Sequence, residues 1–276
     1  GQLKQLNVKT VLVEGEFISA TQFEALKQAC PDLNFILNTE LVETVRNIKD
    51  EIELATLQKA IDISAQSFKE ILPLIEPGVS ERAIGAKLDY LFKMNGGDGP
   101  SFETIVASGY RGSWAHGVAS DKKIQKGELI VIDFGSFYHG YTADITRTVA
   151  LGHVEPELEK IYYIVLEAQK RGIAAAIAGN TGKDIDQAGR NYIREQGYGE
   201  YFGHGIGHGI GLEVHELCTP AMPYSKEVMK NNMAITVEPG IYLPDRGGVR
   251  IEDDVLIKDN HPYVMSQLPK DELLIL

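Results

Sequence analysis

Four stretches of the chain repeat apolar side chains at helical spacing, and they form two pairs. Residues 48–72 predict a first helix, and Ser80 can cap a second one that ends before an Asn-Gly-Gly sequence. Residues 156–177 and 181–196 predict the second pair, which begins with a proline and with a Thr-Gly-Lys-Asp sequence typical of a capping box. The apolar face of the first helix comprises Leu54, Leu57, Ile61, Ala65, Phe68 and Leu72.

Apolar, β-branched runs follow each pair of helices and predict strands. Residues 129–134 and 141–150 are joined by a short glycine-bounded turn, which predicts a hairpin. Residues 233–238 and 248–257 predict a second one. Two helices and a hairpin therefore occur twice, without a repeat at the level of residues. We expect an α+β fold of two similar halves.

The first 47 residues have a different pattern. They predict strand, helix, strand and a helical turn, a unit too short to bury both faces of a sheet. We interpret residues 1–47 as the C-terminal remnant of an α/β domain, with a small subdomain as the alternative. Residues 48–276 then form the main domain.

Composition narrows the classes of function. The 276 residues carry a net charge of −12 and show no basic stripe, so a nucleic-acid partner is not expected. No apolar run approaches the ~20 residues that span a bilayer, so no membrane partner is expected either. Two cysteines favour a reducing compartment, and we expect a cytoplasmic protein. Cys218 is either a bystander or an inhibitory thiol.

Acidic residues occur at the ends of apolar strands, where an unpaired carboxylate is costly. Asp133 ends the first strand of the first hairpin, and Asp144 lies on the returning strand, near the facing position. Glu238 and Glu252 have similar places in the second hairpin. Like charges so close require a positive group between them. Four such oxygen ligands, joined by an imidazole, suit Mn²⁺, Co²⁺ or Zn²⁺.

A glycine-rich stretch supplies the imidazoles. Residues 203–216 (GHGIGHGIGLEVHE) contain His204, His208 and His215, three of the seven histidines, together with five glycines. One histidine can ligate a metal, and another can act as an acid or a hydrogen-bond donor. The surroundings of His116, in a separate loop, do not decide between a functional and a structural role.

The order Asp133, Asp144, His208, Glu238 and Glu252 resembles that of the pita-bread metallopeptidases, in the branch of Xaa-Pro aminopeptidases and Xaa-Pro dipeptidases (prolidases). The resemblance covers roughly residues 46–270. Residues 45–53 (VRNIKDEIE) are also similar to the beginning of that branch's catalytic domain, which methionine aminopeptidases usually lack. The resemblance implies two pseudo-symmetric halves, each a helix pair and a β-hairpin, around a curved antiparallel sheet.

The resemblance also implies roles for the ligand set. Asp133 would chelate one of two divalent ions, most often Mn²⁺ with Co²⁺ or Zn²⁺ as alternatives. Asp144 and Glu252 would bridge both ions, while His208 and Glu238 would complete the second. A hydroxide shared by the two ions would attack the peptide carbonyl.

Further residues surround that set. Glu238 would also transfer protons, while His116 and His215 would bind the substrate and its oxyanion. Arg250 would orient Glu252 or meet a substrate carboxylate, and His204 would line the substrate pocket.

The leading hypothesis is an exopeptidase that cleaves an N-terminal residue from a following proline, acting on dipeptides or short peptides. Methionine aminopeptidase and the metal-free hydrolase creatinase are alternatives. A metal-free pita-bread binding module is the alternative without enzymatic activity, and the intact ligand set argues against it. The resemblance further implies a homodimer.

Overall fold

A computed structural model describes residues 7–38 and 40–276, with the side chains of residues 217–220 outside the description. The chain divides into two units, Gly1–Arg46 and Asn47–Leu276. No helix among the described residues is long and apolar enough to cross a membrane.

The first unit contains a parallel strand pair and the helix that connects it. Strands β1 (Thr10–Glu14) and β2 (Asn34–Asn38) pair in register from Thr10 with Asn34 onward. Helix α1 (Ala20–Ala29) begins at a capping box formed by Ser19 and Gln22. Helix α2 spans Leu41–Asn47. These elements match the predicted order, whereas the origin of residues 1–47 in a larger domain stays a prediction.

The four predicted helices of the second unit are all present, with ends set by their caps. Asp50 and Glu53 form a capping box at the first, Ser80 caps the second, and Thr181 and Asp184 form a capping box at the fourth. Such caps satisfy backbone amides that lack a partner within the helix. The helices are α3 (Glu51–Ile71), α4 (Glu81–Met94), α5 (Pro156–Ala175) and α6 (Gly182–Glu195).

Each helix pair precedes an antiparallel strand pair that encloses a hairpin. In the first half, β5 pairs with β8 and encloses β6 and β7. In the second half, β11 pairs with β14 and encloses β12 and β13. Their bounds are β5 (Glu128–Phe134), β6 (Ser136–Tyr138), β7 (Tyr141–Thr142), β8 (Ile145–Leu151), β11 (Ala234–Val237), β12 (Gly240–Leu243), β13 (Gly247–Arg250) and β14 (Asp253–Lys258).

Shorter strands extend these sheets. β4 pairs with β5, and β16 pairs with β8 in parallel, while β9 lies between β10 and β11, and β15 borders β14. β3 pairs with β6. Their bounds are β3 (Gly99–Pro100), β4 (Ile105–Ser108), β9 (Gly207–Gly209), β10 (Glu216–Ala221), β15 (His261–Val264) and β16 (Leu274–Ile275).

The returning strand of each half is interrupted, which the sequence pattern did not predict. Ala143 and Asp144 separate β7 from β8, and Ile251 and Glu252 separate β13 from β14. At the first break the main chains cross closely: a Cβ atom on Gly135 would lie 1.7 Å from the Ala143 carbonyl oxygen. Only glycine permits this approach, because any side chain would collide with backbone.

Two hydrophobic clusters lie behind these sheets, one for each half. The first contains most of the inner faces of α3 and α4 packed on β5 and β8, where Phe68 stacks on Phe134 with ring centroids 5.0 Å apart. The second contains α5 and α6 packed on β11 to β14. Burial of each large apolar side chain contributes about 1.5–3 kcal/mol. The packed halves hold the two breaks of the returning strands in place.

Candidate metal centre and active site

The four predicted acids come together where the strands of the two halves end or break. Asp133 is the penultimate residue of β5, and Glu238 directly follows β11, while Asp144 and Glu252 occupy the two breaks. Asp133 does not face Asp144, because its partner across the ladder is Thr146. Asp133, Asp144 and Glu252 are only 8%, 5% and 1% exposed. They are therefore not solvated acids at a sheet edge.

His208, on β9, completes the cluster. One ligand atom from each of Asp144, His208 and Glu252 lies within 4.8 Å of the other two. His208 Nε2 is 3.4 Å from Asp144 Oδ2 and 3.6 Å from Glu238 Oε1. Its Nδ1 lies 3.1 Å from the Gly209 carbonyl oxygen, and since a carbonyl only accepts, Nδ1 carries the hydrogen. In the neutral ring, Nε2 then offers its lone pair towards the carboxylates.

Several carboxylate oxygens in this cluster lack a hydrogen-bond partner in the described part of the chain. They are Asp133 Oδ1, Asp144 Oδ1 and Glu252 Oε1, all fully buried atoms. An uncompensated buried carboxylate is strongly destabilising. Four carboxylates and one imidazole form a donor set that suits a divalent cation of intermediate hardness. The residues present therefore fit the metal ions that the sequence implies.

The pKa values of these acids also reflect the burial of several carboxyl groups close together. Burial, followed by the charges of neighbouring carboxylates, holds the pKa of both Asp144 and Glu252 well above the usual range. Burial also raises the pKa of Glu238, against the lowering effect of His208 and Arg250. Without a cation, these carboxyl groups tend to retain protons.

Arg250 on β13 is the positive group near the acids. Its guanidinium donates to Asp133 Oδ2 (2.6 Å) and to the Thr146 hydroxyl (3.1 Å), and lies 4.0 Å from Glu238. Thr146 in turn donates to Glu252 Oε2 (2.6 Å). Arg250 thus orients Asp133 directly and Glu252 through Thr146. Direct contact with a substrate carboxylate stays a prediction.

Both ring nitrogens of His204 contact protein atoms. Nδ1 lies 2.7 Å from the Gly205 carbonyl oxygen, and Nε2 lies 2.8 Å from the hydroxyl of Tyr242. Tyr242 accepts from Arg250 (3.0 Å), so its own hydrogen points to His204. Burial and the charge of Arg250 lower the pKa of His204 to about 4. Sequence reasoning missed Tyr242, since no motif marks it.

His116 and His215 lie at the exposed side of the cluster. The ring of His215 meets that of His208 edge to face, with centroids 4.2 Å apart. Desolvation, followed by the charges of His208 and His116, lowers the pKa of His215 to about 4. His215 is therefore neutral at physiological pH, with one ring N–H to donate. The side chain of Cys218 lies outside the described residues.

A cavity of about 600 Å³ opens onto these groups. Its polar lining includes Asp133, Asp144, Glu238 and the four histidines named above, together with Glu103, Glu216 and Arg250. Its apolar lining includes Phe102, Ile105, Val118, Val214 and Met222. This size and lining suit a small substrate with an apolar portion held next to polar chemistry. Trp114 is 52% exposed, packs edge to face on Tyr110 and does not line the cavity.

Comparison with known proteins identifies the family. The chain is 44% identical over 267 residues to the Xaa-Pro dipeptidase of Pyrococcus furiosus, covering 97% of this chain and 76% of that protein. An Xaa-Pro dipeptidase structure from Bacillus anthracis superposes with a TM-score of 0.97 at 45% identity, over 100% of this chain and 77% of that one. An X-Pro aminopeptidase structure from Thermotoga maritima gives 0.93 at 42%, over 100% and 78%.

The profile of metallopeptidase family M24 matches residues 55–259. The expected pita-bread fold is confirmed, with two helix-pair and hairpin halves. The resemblance drawn from the order of the five ligand-type residues is likewise confirmed, and the chain belongs to metallopeptidase family M24.

Proposed function

We propose that this chain is an exopeptidase that hydrolyses the bond between an N-terminal residue and a following proline. The observation that carries the proposal is the buried set of unpartnered carboxylate oxygens at the end of a peptide-sized cavity. Similar proteins named Xaa-Pro dipeptidase and X-Pro aminopeptidase support the choice of substrate. They also disfavour methionine aminopeptidase.

Two divalent cations, Mn²⁺ in preference to Co²⁺ or Zn²⁺, are the cofactors that we propose. Asp133, Asp144, His208, Glu238 and Glu252 would hold them. When bound, the ions supply Lewis acidity, which polarises the scissile carbonyl and makes water nucleophilic at neutral pH. The preference for Mn²⁺ rests on the excess of carboxylate over imidazole ligands. Activity restored to a chelated sample by each metal in turn measures it.

The chain's own residues handle the proton and the oxyanion. The carboxylate of Glu238 accepts the proton of the attacking water and delivers it to the nitrogen of the leaving proline. His116 and His215 donate hydrogen bonds to the carbonyl oxygen as its negative charge develops. His204 and Arg250 line the cavity and hold its polar end rigid.

A parallel turnover assay tests the choice of substrate. With Mn²⁺ added, we expect hydrolysis of Xaa-Pro or Xaa-Pro-Yaa peptides and little hydrolysis of Met-Ala-Yaa. Preferential cleavage of Met-Ala-Yaa would identify a methionine aminopeptidase instead. The ratio between Xaa-Pro and Xaa-Pro-Yaa distinguishes a dipeptidase from an aminopeptidase. Full activity after exhaustive chelation would contradict the metal mechanism.

Assembly and location complete the proposal. A homodimer follows from the family resemblance, and sedimentation equilibrium measures it. A cytoplasmic location follows from the two cysteines in 276 residues, and fractionation of the producing cell tests it.

A further inference from the structure

The segment that leads into α3 has no part in the chemistry above. We call residues 47–53, which include the first turn of α3, the lead-in segment. Lys49 in this segment is 2% exposed, and its ammonium group lies 2.9 Å from Glu216 Oε2. Both side chains of this ion pair are almost completely buried. Since burial of charges is costly, such a pair is retained where it fixes geometry or specificity.

Glu216 connects Lys49 to the histidine stretch. It directly follows His215, and its other oxygen, Oε1, accepts a hydrogen bond from the amide of Leu212 (3.0 Å). One carboxylate therefore closes the turn formed by residues 211–216, which we call the histidine turn, and ties it to Lys49. A Cβ atom on Gly211 would lie 2.6 Å from Glu216 Oε1 and 3.0 Å from Lys49 Cε. The turn is built around the ion pair.

A second connection joins the lead-in segment to the same region. The amide and hydroxyl of Thr142 both donate to the carbonyl of Gly211, at 2.9 and 3.0 Å. The neighbouring Tyr141 donates through its hydroxyl to Glu53 (2.7 Å), which also accepts from the amide of Asp50. The base of the histidine turn and the cap of α3 therefore share one set of hydrogen bonds.

We propose that Lys49 is a positioning residue that acts through Glu216 to hold His215 against His208 at the reacting end of the cavity. The inference rests on the proposed function, since it assigns Lys49 to the reaction in which His215 stabilises the oxyanion. It explains why the lead-in segment accompanies this catalytic domain: the segment supplies the buried cation that fixes the histidine turn.

The test compares charge-removing variants in the metal-loaded enzyme. Lys49→Met keeps the aliphatic stem and removes the ammonium group that pairs with Glu216. Lys49→Met/Glu216→Gln removes both charges and keeps an oxygen for the amide of Leu212. Lys122→Met is the matched control, because Lys122 pairs with Glu128 (2.7 Å) and does not line the cavity. We measure kcat, KM, metal content and amide exchange of residues 205–216.

In Lys49→Met we expect kcat for an Xaa-Pro dipeptide to fall about 10- to 100-fold, the range for outer residues that orient a site. KM should stay within about twofold, and metal content should not change, since Lys49 acts through His215 and not through a ligand. The amide of Leu212 should exchange faster. The double variant should recover thermal stability without recovering kcat, and Lys122→Met should resemble the wild type.

A double-mutant cycle with His215 separates positioning from general destabilisation. If Lys49 acts through His215, adding Lys49→Met to His215→Ala should lower kcat by less than about twofold. An equal factor in both backgrounds would overturn the proposal, as would recovery of kcat together with stability in the double variant. If the wild-type enzyme were inactive on every Xaa-Pro peptide, only the proposed function would be contradicted. Unchanged amide exchange in Lys49→Met would separately contradict the connection between Lys49 and the histidine turn.

Discussion

Glu252 and Asp253 are neighbours in the chain, equally buried, and opposite in their surroundings. The Glu252 carboxylate accepts a hydrogen bond from Thr146, and its second oxygen has no hydrogen-bond partner among the described residues. Asp253 pairs with Arg147 and Lys270 and accepts from Gln169 and Ser266. Although burial acts to raise it, the pKa of Asp253 is lowered by these two cations, whereas the pKa of Glu252 is raised. Adjacent residues in extended backbone point to opposite sides, which separates the two environments.

The difference shows what a buried carboxylate needs. Asp253 is supplied with cations by the chain itself, so its role is structural: it ties the returning strand to α5 and to the C-terminal segment. Glu252 shares its cluster with Asp144 and other acids. The guanidinium of Arg250 is bonded to Asp133, and that of Arg147 donates to the main-chain carbonyl of Glu252 and to the carboxylate of Asp253. The Glu252 carboxyl group must therefore hold a proton or meet a cation from outside the chain. The supply of cations thus separates Asp253, a structural acid, from a proposed metal ligand one residue away.

The largest expected effect is on catalysis. His208→Ala or Asp144→Asn removes a proposed metal ligand from the cluster that contains Glu252. Because metal ions contribute several kcal/mol of transition-state stabilisation, kcat/KM for an Xaa-Pro dipeptide should fall by more than about 1,000-fold. Metal analysis of the purified variants should show less bound metal. Full metal content with full activity would remove these residues from the ligand set.

Asp253→Asn should act on stability instead. Breaking a buried ion pair leaves Arg147 and Lys270 without their carboxylate, so the free energy of unfolding should fall by about 3 kcal/mol. Urea denaturation of the metal-free protein measures it, and Lys170→Ala, which loses an exposed pair with Asp271, is the control. An unchanged denaturation midpoint would show that the comparison does not hold.

Glu252→Gln should stabilise the metal-free protein, in contrast to the destabilisation expected for Asp253→Asn. The neutral amide replaces a buried carboxyl group that, without a metal ion, must retain a proton in the folded protein at a raised pKa, so the free energy of unfolding should rise by about 1–3 kcal/mol. The stabilisation that Mn²⁺ gives to the wild type should be lost in the same variant. Thermal denaturation with and without Mn²⁺ measures both effects. A metal-free variant less stable than the wild type would contradict this account of Glu252.

The smallest effect is a dependence on pH. Folding raises the pKa of Asp144 and Glu252, so their contribution to the free energy of unfolding is lost as pH rises from the unfolded to the folded pKa. Lowering the pH from about 7.5 to about 5 should therefore stabilise the metal-free protein. A gain of about 1 kcal/mol corresponds to about 2–4 °C in Tm for a domain of this size. The lowered pKa of Asp253 acts in the other direction only below about pH 4. His204 and His215, with pKa values of about 4 in the folded protein, act against this gain, because below about pH 6.5 the unfolded chain binds protons on these histidines that the folded protein does not. The net gain is therefore smaller than the contribution of the acids alone.

Metal-loaded protein supplies the contrast. Because metal binding requires ionised carboxylates, the stabilisation by Mn²⁺ should grow as pH rises. Differential scanning calorimetry at pH 5, 6 and 7.5 measures both series. Parallel slopes with and without metal would show that the carboxylates do not bind it.

The sequence predicts the elements of the fold well, because helix caps and apolar periodicity act locally. The helix starts at Asp50, Ser80 and Thr181 follow from three or four residues each. The breaks before β8 and β14 could not be predicted, since neither a glycine nor a proline occupies them. They arise where the chain passes from one ladder to the next.

The sequence predicts the types of residue in the candidate site, but not the neighbouring residues that hold them in position. Acids on apolar strands indicate a functional site because burial of an unpaired carboxylate is costly. The histidines indicate one because three of the seven lie close together in the chain. The contact between Lys49 and Glu216 joins positions 167 residues apart, and Tyr242 lies between Arg250 and His204 only in three dimensions. No local pattern encodes such pairs, because they form only when distant segments of the chain pack together.

The close crossing at Gly135 has a consequence for engineering. Asp133 precedes this glycine by two residues, and Asp144 directly follows the carbonyl that it meets. The separation of the two acids is therefore set by main chain lying against main chain, independently of the side chains that line the cavity. We expect substitutions at Phe102, Ile105 or Val214, which line the cavity, to change substrate preference while the spacing of the acids stays constant.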